Sequence, residues 1–315
     1  MKKLNKLIQF ITFSYLFICT YSNITITILL EIREAIGSSY CPTFPSSQAQ
    51  ITIKVNGIEI SDNLCFNAIS GEIEIIINTN ENSISLKNMF KSCGYIVSVR
   101  MSISQSNFNI SDMENIFASN SYLKSIDMSN FDLSGVTSFS NMFYNCYNLV
   151  SVKFGNSNIN NVNNMESMFE GCQILASLDF SNFDTSKVTT MKNLFYRCYR
   201  LTSLNIEKFN VTLVNDFEGM FRSTRLTSLD LSHFNTSEAY YMNDMFDNCN
   251  KLEFLNISNF DISKVLTTSG MFSGCSSLSS LDLRSFKSSN INDITGMFSD
   301  CSSLIYINIS NFDTS

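Results

Sequence analysis

Hydrophobic positions along most of the chain follow two alternating patterns. The first is short: Leu204-Asn205-Ile206, Leu229-Asp230-Leu231, Leu255-Asn256-Ile257 and Leu281-Asp282-Leu283 each set two apolar residues around one polar residue. This two-residue period predicts a short strand with its apolar side inward. The second has spacings of 3, 4 and 3, as in Val162, Met165, Phe169, Cys172, then Val188, Met191, Phe195, Cys198, and later Ile291, Ile294, Phe298, Cys301. Residues so spaced share one face of a helix. Ahead of the stripes stand Ser134, Asn160, Ser186, Thr212, Ser237, Ser263 and Ser289, all of types preferred as helix N-caps.

The two patterns alternate as a repeat. Phe90, Phe117, Phe143, Phe169, Phe195, Phe221, Phe246, Phe272 and Phe298 follow one another at intervals of 25 to 27 residues. A second column, Phe131, Phe183, Phe209, Phe234, Phe260, Phe286 and Phe312, follows the strands and is expected to plug the turn out of each. Units of strand, turn and capped helix can bury their apolar faces only against one another. The expected fold is α/β, a right-handed leucine-rich repeat solenoid. Each repeat of about 26 residues supplies one short parallel strand and one short convex helix. Helices are wider than strands, so the sheet is expected on the concave side of an arc.

Residues 1–22 join a cationic start to an apolar run and read as a signal peptide. An uncleaved anchor is the alternative, because "ITITILL" from Ile24 lengthens the apolar stretch. Residues 23–50 form a linker. Residues 51–88 alternate like strands, with Asn56-Gly57 as a hairpin turn, and are expected to make a small β-rich N-terminal cap. The array occupies 89–315. Ser315 falls in the N-cap column, where another helix is expected to begin, so the array reads as truncated.

The segment "LDFSNFDTSKVTTMKNLFYRC", Leu178 to Cys198, resembles the repeats of BspA-type leucine-rich surface proteins. The resemblance covers about residues 89 to 315 and implies adhesion to host or neighbouring-cell proteins. Two units depart from its pattern, with Asn120 and Thr224 standing where Cys is expected.

Ten cysteines in an exported chain raise the question of disulfides. Cys93, Cys146, Cys172, Cys198, Cys249, Cys275 and Cys301 belong to the repeat and read as small buried residues. Cys41 stands before the cap and Cys65 within it, and the two are the candidate disulfide. No CxxC pair or zinc-ligand spacing occurs, and no metal or cofactor is expected. A net charge of −7 leaves no basic stripe for nucleic acid. The one histidine, His233, stands in a column of Asn130, Asn182 and Asn259, which argues against a catalytic base.

What remains is a surface. One outward position per strand forms the polar column Asp127, Lys153, Asp179, Asn205, Asp230, Asn256, Asp282 and Asn308. A neighbouring outward column is mostly serine, interrupted by Phe254 and Tyr306. Lys153, Phe254, Arg284 and Tyr306 are the candidate ligand-binding residues, since aromatics and Arg concentrate interface energy. The expected function is a secreted or surface-displayed protein that binds an extracellular protein or glycan through its concave face. The alternative is a structural coat protein that self-associates through its terminal strand.

Overall fold

The computed structural model describes residues 24–32, 50–55, 58–60, 71–79, 83–94, 96–103, 109–155, 159–286 and 291–311. The expected signal segment 1–22, Cys41, Cys65, Ser289 and the last four residues lie outside the described residues. The chain forms a β-solenoid of about 8 turns with no helix among the described residues. This overturns the expected α/β leucine-rich repeat.

The short strands fall where the two-residue period puts them. They are β8 (Ser125–Asn130), β9 (Ser151–Lys153), β10 (Ser177–Asp179), β11 (Ser203–Asn205), β12 (Ser228–Asp230), β13 (Phe254–Asn256), β14 (Ser280–Asp282) and β15 (Tyr306–Asn308). Pairing is parallel and in register: Leu178 opposes Leu204, Leu229 opposes Leu255, and Leu281 opposes Ile307. The turn-plugging phenylalanines from Phe131 to Phe286 are buried. Opposite the strands runs a second ladder of single-residue bridges, Ser138 to Asn164, Thr190, Asp216, Tyr241, Thr267 and Asp293.

The expected helices are staircases of tight turns. In the coil of Phe143, the amides of Met142, Tyr144 and Cys146 donate to the carbonyls of Phe139, Asn141 and Phe143, three residues back. The amides of Phe139, Asn141, Phe143 and Asn145 instead donate to Asn164, Glu166, Met168 and Glu170 of the next coil, at 2.7–2.9 Å. A helix would direct its interior amides along its own axis, leaving none for a neighbour. The alternation requires positive φ two residues before and two residues after each Phe of the column. Asn141 (φ 53) and Asn145 (φ 57) show it, as do Asn193 (φ 53), Arg197 (φ 60), Asp244 (φ 56) and Asn248 (φ 57). Gly171 (φ 76) occupies one such position, and a Cβ there would lie 2.4 Å from Asn145 Oδ1.

The expected N-caps take the other half of a different bond. Ser134, Ser186, Thr212, Ser237 and Ser263 donate their backbone amides to the side-chain oxygens of Asp132, Asp184, Asn210, Asn235 and Asp261. These are Asx-turns at a corner of the coil. The expected arc also loses its ground, because it rested on helices being wider than strands.

The core is one continuous column. All nine phenylalanines from Phe90 to Phe298 stack on their neighbours, with centroids 5.3–6.2 Å apart. That range suits offset aromatic stacking.

At the N-terminal end the sheet changes character. β1 (Ile24–Ile32), β2 (Gln50–Val55), β3 (Ile58–Ile60) and β4 (Gly71–Thr79) join β6 (Ile96–Ile103), β8 and β9 in the order β3-β2-β4-β1-β6-β8-β9. β1 lies antiparallel between β4 and β6, whereas β6 and β8 are parallel. Ile24–Ile32, read from sequence as linker or anchor extension, is therefore a strand joining the cap to the array. β2 and β3 pair as a hairpin, Val55 opposite Ile58. A small parallel pair, β5 (Ser83–Ser85) and β7 (Asn109–Asp112), lies in line with the bridge ladder. Among the described residues, no helix is long and apolar enough to cross a membrane.

The stack and the strand face make opposite demands on substitution. Phe195 is fully buried between Phe169 and Phe221, so Phe195→Ala is expected to destabilise by roughly 3–5 kcal/mol. Ser203→Ala, on the exposed strand face, should change stability by less than about 0.5 kcal/mol. Urea midpoints of the two variants check the inward and outward assignments.

Candidate functional site

The face that could meet a ligand is the outer surface of the strands, and its polar column has a structural duty. The carboxylates of Asp127, Asp179, Asp230 and Asp282 accept the backbone amides of Ser129, Ser181, Ser232 and Arg284 at 2.9–3.1 Å. Asn205, Asn256 and Asn308 accept from Glu207, Ser258 and Ser310 at 3.2–3.5 Å. From β10 to β15 each strand thus ends in an Asx-turn, and Asp127 makes the same turn within β8, which restricts the position to Asp or Asn. Neighbours also bond along the column: Asn205 Nδ2 donates to Asp179 Oδ1 at 3.0 Å. Alternation of carboxylate and amide turns a repulsive neighbour pair into a hydrogen bond.

Lys153 is the exception. Its coil turns at Gly155 (φ 67), where a Cβ would lie 2.6 Å from Ser129 O. Lys153 Nζ stands 3.8 Å from Asp127 Oδ2, a weak exposed pair. A shallow hollow beside it is lined by Asp179, Ser181, Asn182 and Asn205.

The other three candidates lie on successive coils. Phe254 opens β13, Tyr306 opens β15, and Arg284 follows the end of β14 between them. Phe254 and Tyr306 are 52% and 59% exposed on a column otherwise made of serine. Arg284 grips Asp282, with Nε 3.1 and 3.0 Å from the two carboxylate oxygens and Nη2 2.7 Å from Oδ2. The guanidinium holds the Asp282 carboxyl below its ordinary range. A second hollow lies along this pair, lined by Ser258, Asn259, Asp261, Ser285 and Asn311. Lys153, four strands away on β9, belongs to a different place. The sequence reading missed the Asp282–Arg284 pair and the hollow. Arg284 two residues after Asp282 was the signal available for them.

The remaining chemistry-bearing side chains tie coils together. Cys146, Cys172, Cys198, Cys249, Cys275 and Cys301 donate Sγ–H to the carbonyl of the column Phe one coil earlier, at 3.0–3.3 Å. Asn120 does the same with Nδ2, 2.7 Å from Phe90 O, which explains why an amide replaces Cys in that coil. Thr224 takes its own solution, with Oγ1 3.5 Å from Cys249 Sγ. The seven described repeat cysteines are free thiols. Burial pushes Cys93 and Cys146 up to about 12 and Cys249 up to about 11. His233 Nε2 lies 3.1 Å from Ile206 O, the same reach into the preceding coil that Asn259 makes to Ser232 O. Among the described residues no group of His, Cys, Asp and Glu is placed to hold a metal ion.

Between coils, charge pairs follow the same rule. Lys192 meets Glu218 at 2.8 Å and Lys264 meets Glu238 at 2.7 Å. Arg222 reaches Asp244 and Asp247 while lying over the Tyr196 ring.

Two expected outcomes follow from these groups. Site-resolved alkylation of the native protein should leave Cys146, Cys172, Cys198, Cys249 and Cys275 unmodified, label Cys301 first among the described cysteines, and reach all of these only on unfolding. Rapid native labelling of Cys198 would show the column open. For pH, two sets oppose each other. Burial raises Glu170, Asp216 and Asp244, so they weaken the fold near neutrality and that penalty lifts as pH falls through their folded values. Hydrogen bonds lower Asp127, Asp179, Asp184, Asp230, Asp282 and Asp293, so their contribution is complete above the ordinary value of 3.8 and is lost below it. Melting temperature should therefore hold or rise slightly from neutrality to mild acid and fall once pH drops below that value.

Comparison with curated proteins found no match, and comparison with solved structures found none either. A protein-family model, described as "Mycoplasma protein of unknown function, DUF285", matches four overlapping stretches, residues 76–177, 138–253, 163–282 and 225–315. Overlaps of this kind are what a repeated unit produces, because the model can be laid on the coils in more than one register. The chain belongs to this DUF285 family of repeat proteins.

Proposed function

We propose that the chain is exported and displayed at the cell surface, where its strand face binds an extracellular macromolecule without catalysing a reaction. The observation that carries this reading is the pair Phe254 and Tyr306, each more than half exposed where the other coils place serine. Leaving two aromatic rings in water is unfavourable, and such rings are enriched where interfaces concentrate their energy. Export is supported by the cationic and apolar start, and display by the resemblance of Leu178–Cys198 to BspA-type surface repeats. The face carries no basic stripe for nucleic acid; Lys153 and Arg284 both stand beside carboxylates.

Antibody staining of intact cells, together with binding to immobilised extracellular-matrix proteins and a glycan array, tests the reading. The expected result is staining without permeabilisation and saturable binding that Phe254→Ser with Tyr306→Ser weakens by about ten-fold or more. Staining only after permeabilisation, or equal binding by the double variant, would overturn it.

A further inference from the structure

Resting on that reading of the strand face, we infer that Phe254 and Tyr306 form a two-ring platform for a neutral, extended β-linked glycan. Phe254 opposes Ser228 and Tyr306 opposes Ser280, and β13 and β14 are neighbours without a hydrogen-bonded ladder between them. The 26-residue repeat puts Phe254, Ser280 and Tyr306 at equivalent positions of successive coils. Two coil spacings therefore separate the rings' backbones, about 10 Å. Successive sugars in an extended β-1,4 chain flip by a half-turn, so alternate pyranoses present the same face at close to this spacing. An α-linked chain coils and does not keep that alignment.

The surroundings favour a sugar over other ligands. Ser203, Ser228 and Ser280 give a low floor from which the rings stand up, suited to the flat C–H face of a pyranose. A protein anchor would need a packed pocket that this floor does not provide. Arg284 is already matched by Asp282, so this patch offers no free guanidinium to a phosphorylated or acidic ligand. Past the ends of the same strands, the hollow beside Asp282 and Arg284 offers the Ser258 hydroxyl and the side-chain oxygens of Asn259 and Asn311, whose amide groups already donate to backbone carbonyls, as polar contacts that can fix a sugar's orientation.

The test is calorimetric titration of the full chain with chitohexaose, cellohexaose, chitobiose and maltohexaose. Variants are Phe254→Ser, Tyr306→Ser, the double variant, and Tyr147→Ser as an exposed tyrosine outside the column. Serine is the residue other coils carry at both positions, so the variants should keep the parent melting temperature. At least one β-linked hexamer should bind about ten-fold or more tightly than chitobiose, which spans a single ring, and more tightly than maltohexaose. Each single variant should weaken that binding, the double variant should abolish it, and Tyr147→Ser should leave it intact. Equal binding by the double variant, or equal affinity for maltohexaose, would overturn the inference. No glycan binding, with matrix proteins still bound through Phe254 and Tyr306, would overturn the glycan assignment and leave the surface reading standing. Loss of both would overturn both.

Discussion

The fold depends on where alternate backbone amides of each coil point. In the staircase around every column Phe, half of them must reach the next coil, which requires two left-handed residues per coil. That conformation costs roughly 1–2 kcal/mol for a residue with a Cβ. Inter-coil hydrogen bonds, each worth roughly 1 kcal/mol net, and the burial of a ring on either side offset it. Spacing follows from the same bonds. Strands pack about 4.8 Å apart, while helices need about 8–10 Å between axes. Turns can stack at the strand spacing along the whole coil. Phe centroids 5.3–6.2 Å apart show that the far side of the coil keeps nearly that pitch.

Much of this was legible in the chain. The strand period, its register, the buried Phe columns and the structural role of the cysteines all follow from apolar spacing. The helix did not survive because a spacing of 3, 4 and 3 tests only which residues face inward. Met191, Phe195 and Cys198 are buried as a helix would bury them, yet Leu194 is buried too, and Asn193 and Arg197 are left-handed. The discriminating signal lay in the polar residues between. Asn88, Asn115, Asn141, Asn193, Gly219, Asp244, Gly270 and Gly296 share one column with Ser167, and Asn145, Gly171, Asn248, Gly274 and Asp300 share another with Ser92, Ser119, Ser223 and Arg197. Asn, Asp and Gly weaken a helix interior and are the residues that tolerate positive φ. Ser92, Ser119, Ser167, Ser223 and Arg197 follow no such preference; the Arg197 guanidinium lies 4.8 Å from the Tyr196 ring.

The candidate site was legible in part. Phe254 and Tyr306 stand out against serine in the sequence and stand out of the surface in the structure. The polar column changed its meaning: Asp179, Asn205 and their equivalents close Asx-turns, a duty set by the fold before any ligand is considered. Lys153 separates from the other candidates because it sits on β9, four strands before Phe254, and it escapes the Asx-turn because its coil turns at Gly155. A regular solenoid fixes most surface positions by stacking, so departures from the repeat are where function has room to act. Belonging to a family without an assigned activity places the weight on those departures.

Left-handed turns replace helices in every described coil, and far-UV circular dichroism of the purified chain reads that replacement. The expected spectrum has the single minimum of β-structure and turns, without the helical double minimum, and is the same at low and high protein concentration. A helical double minimum of the strength expected for one three-turn helix per repeat would contradict it.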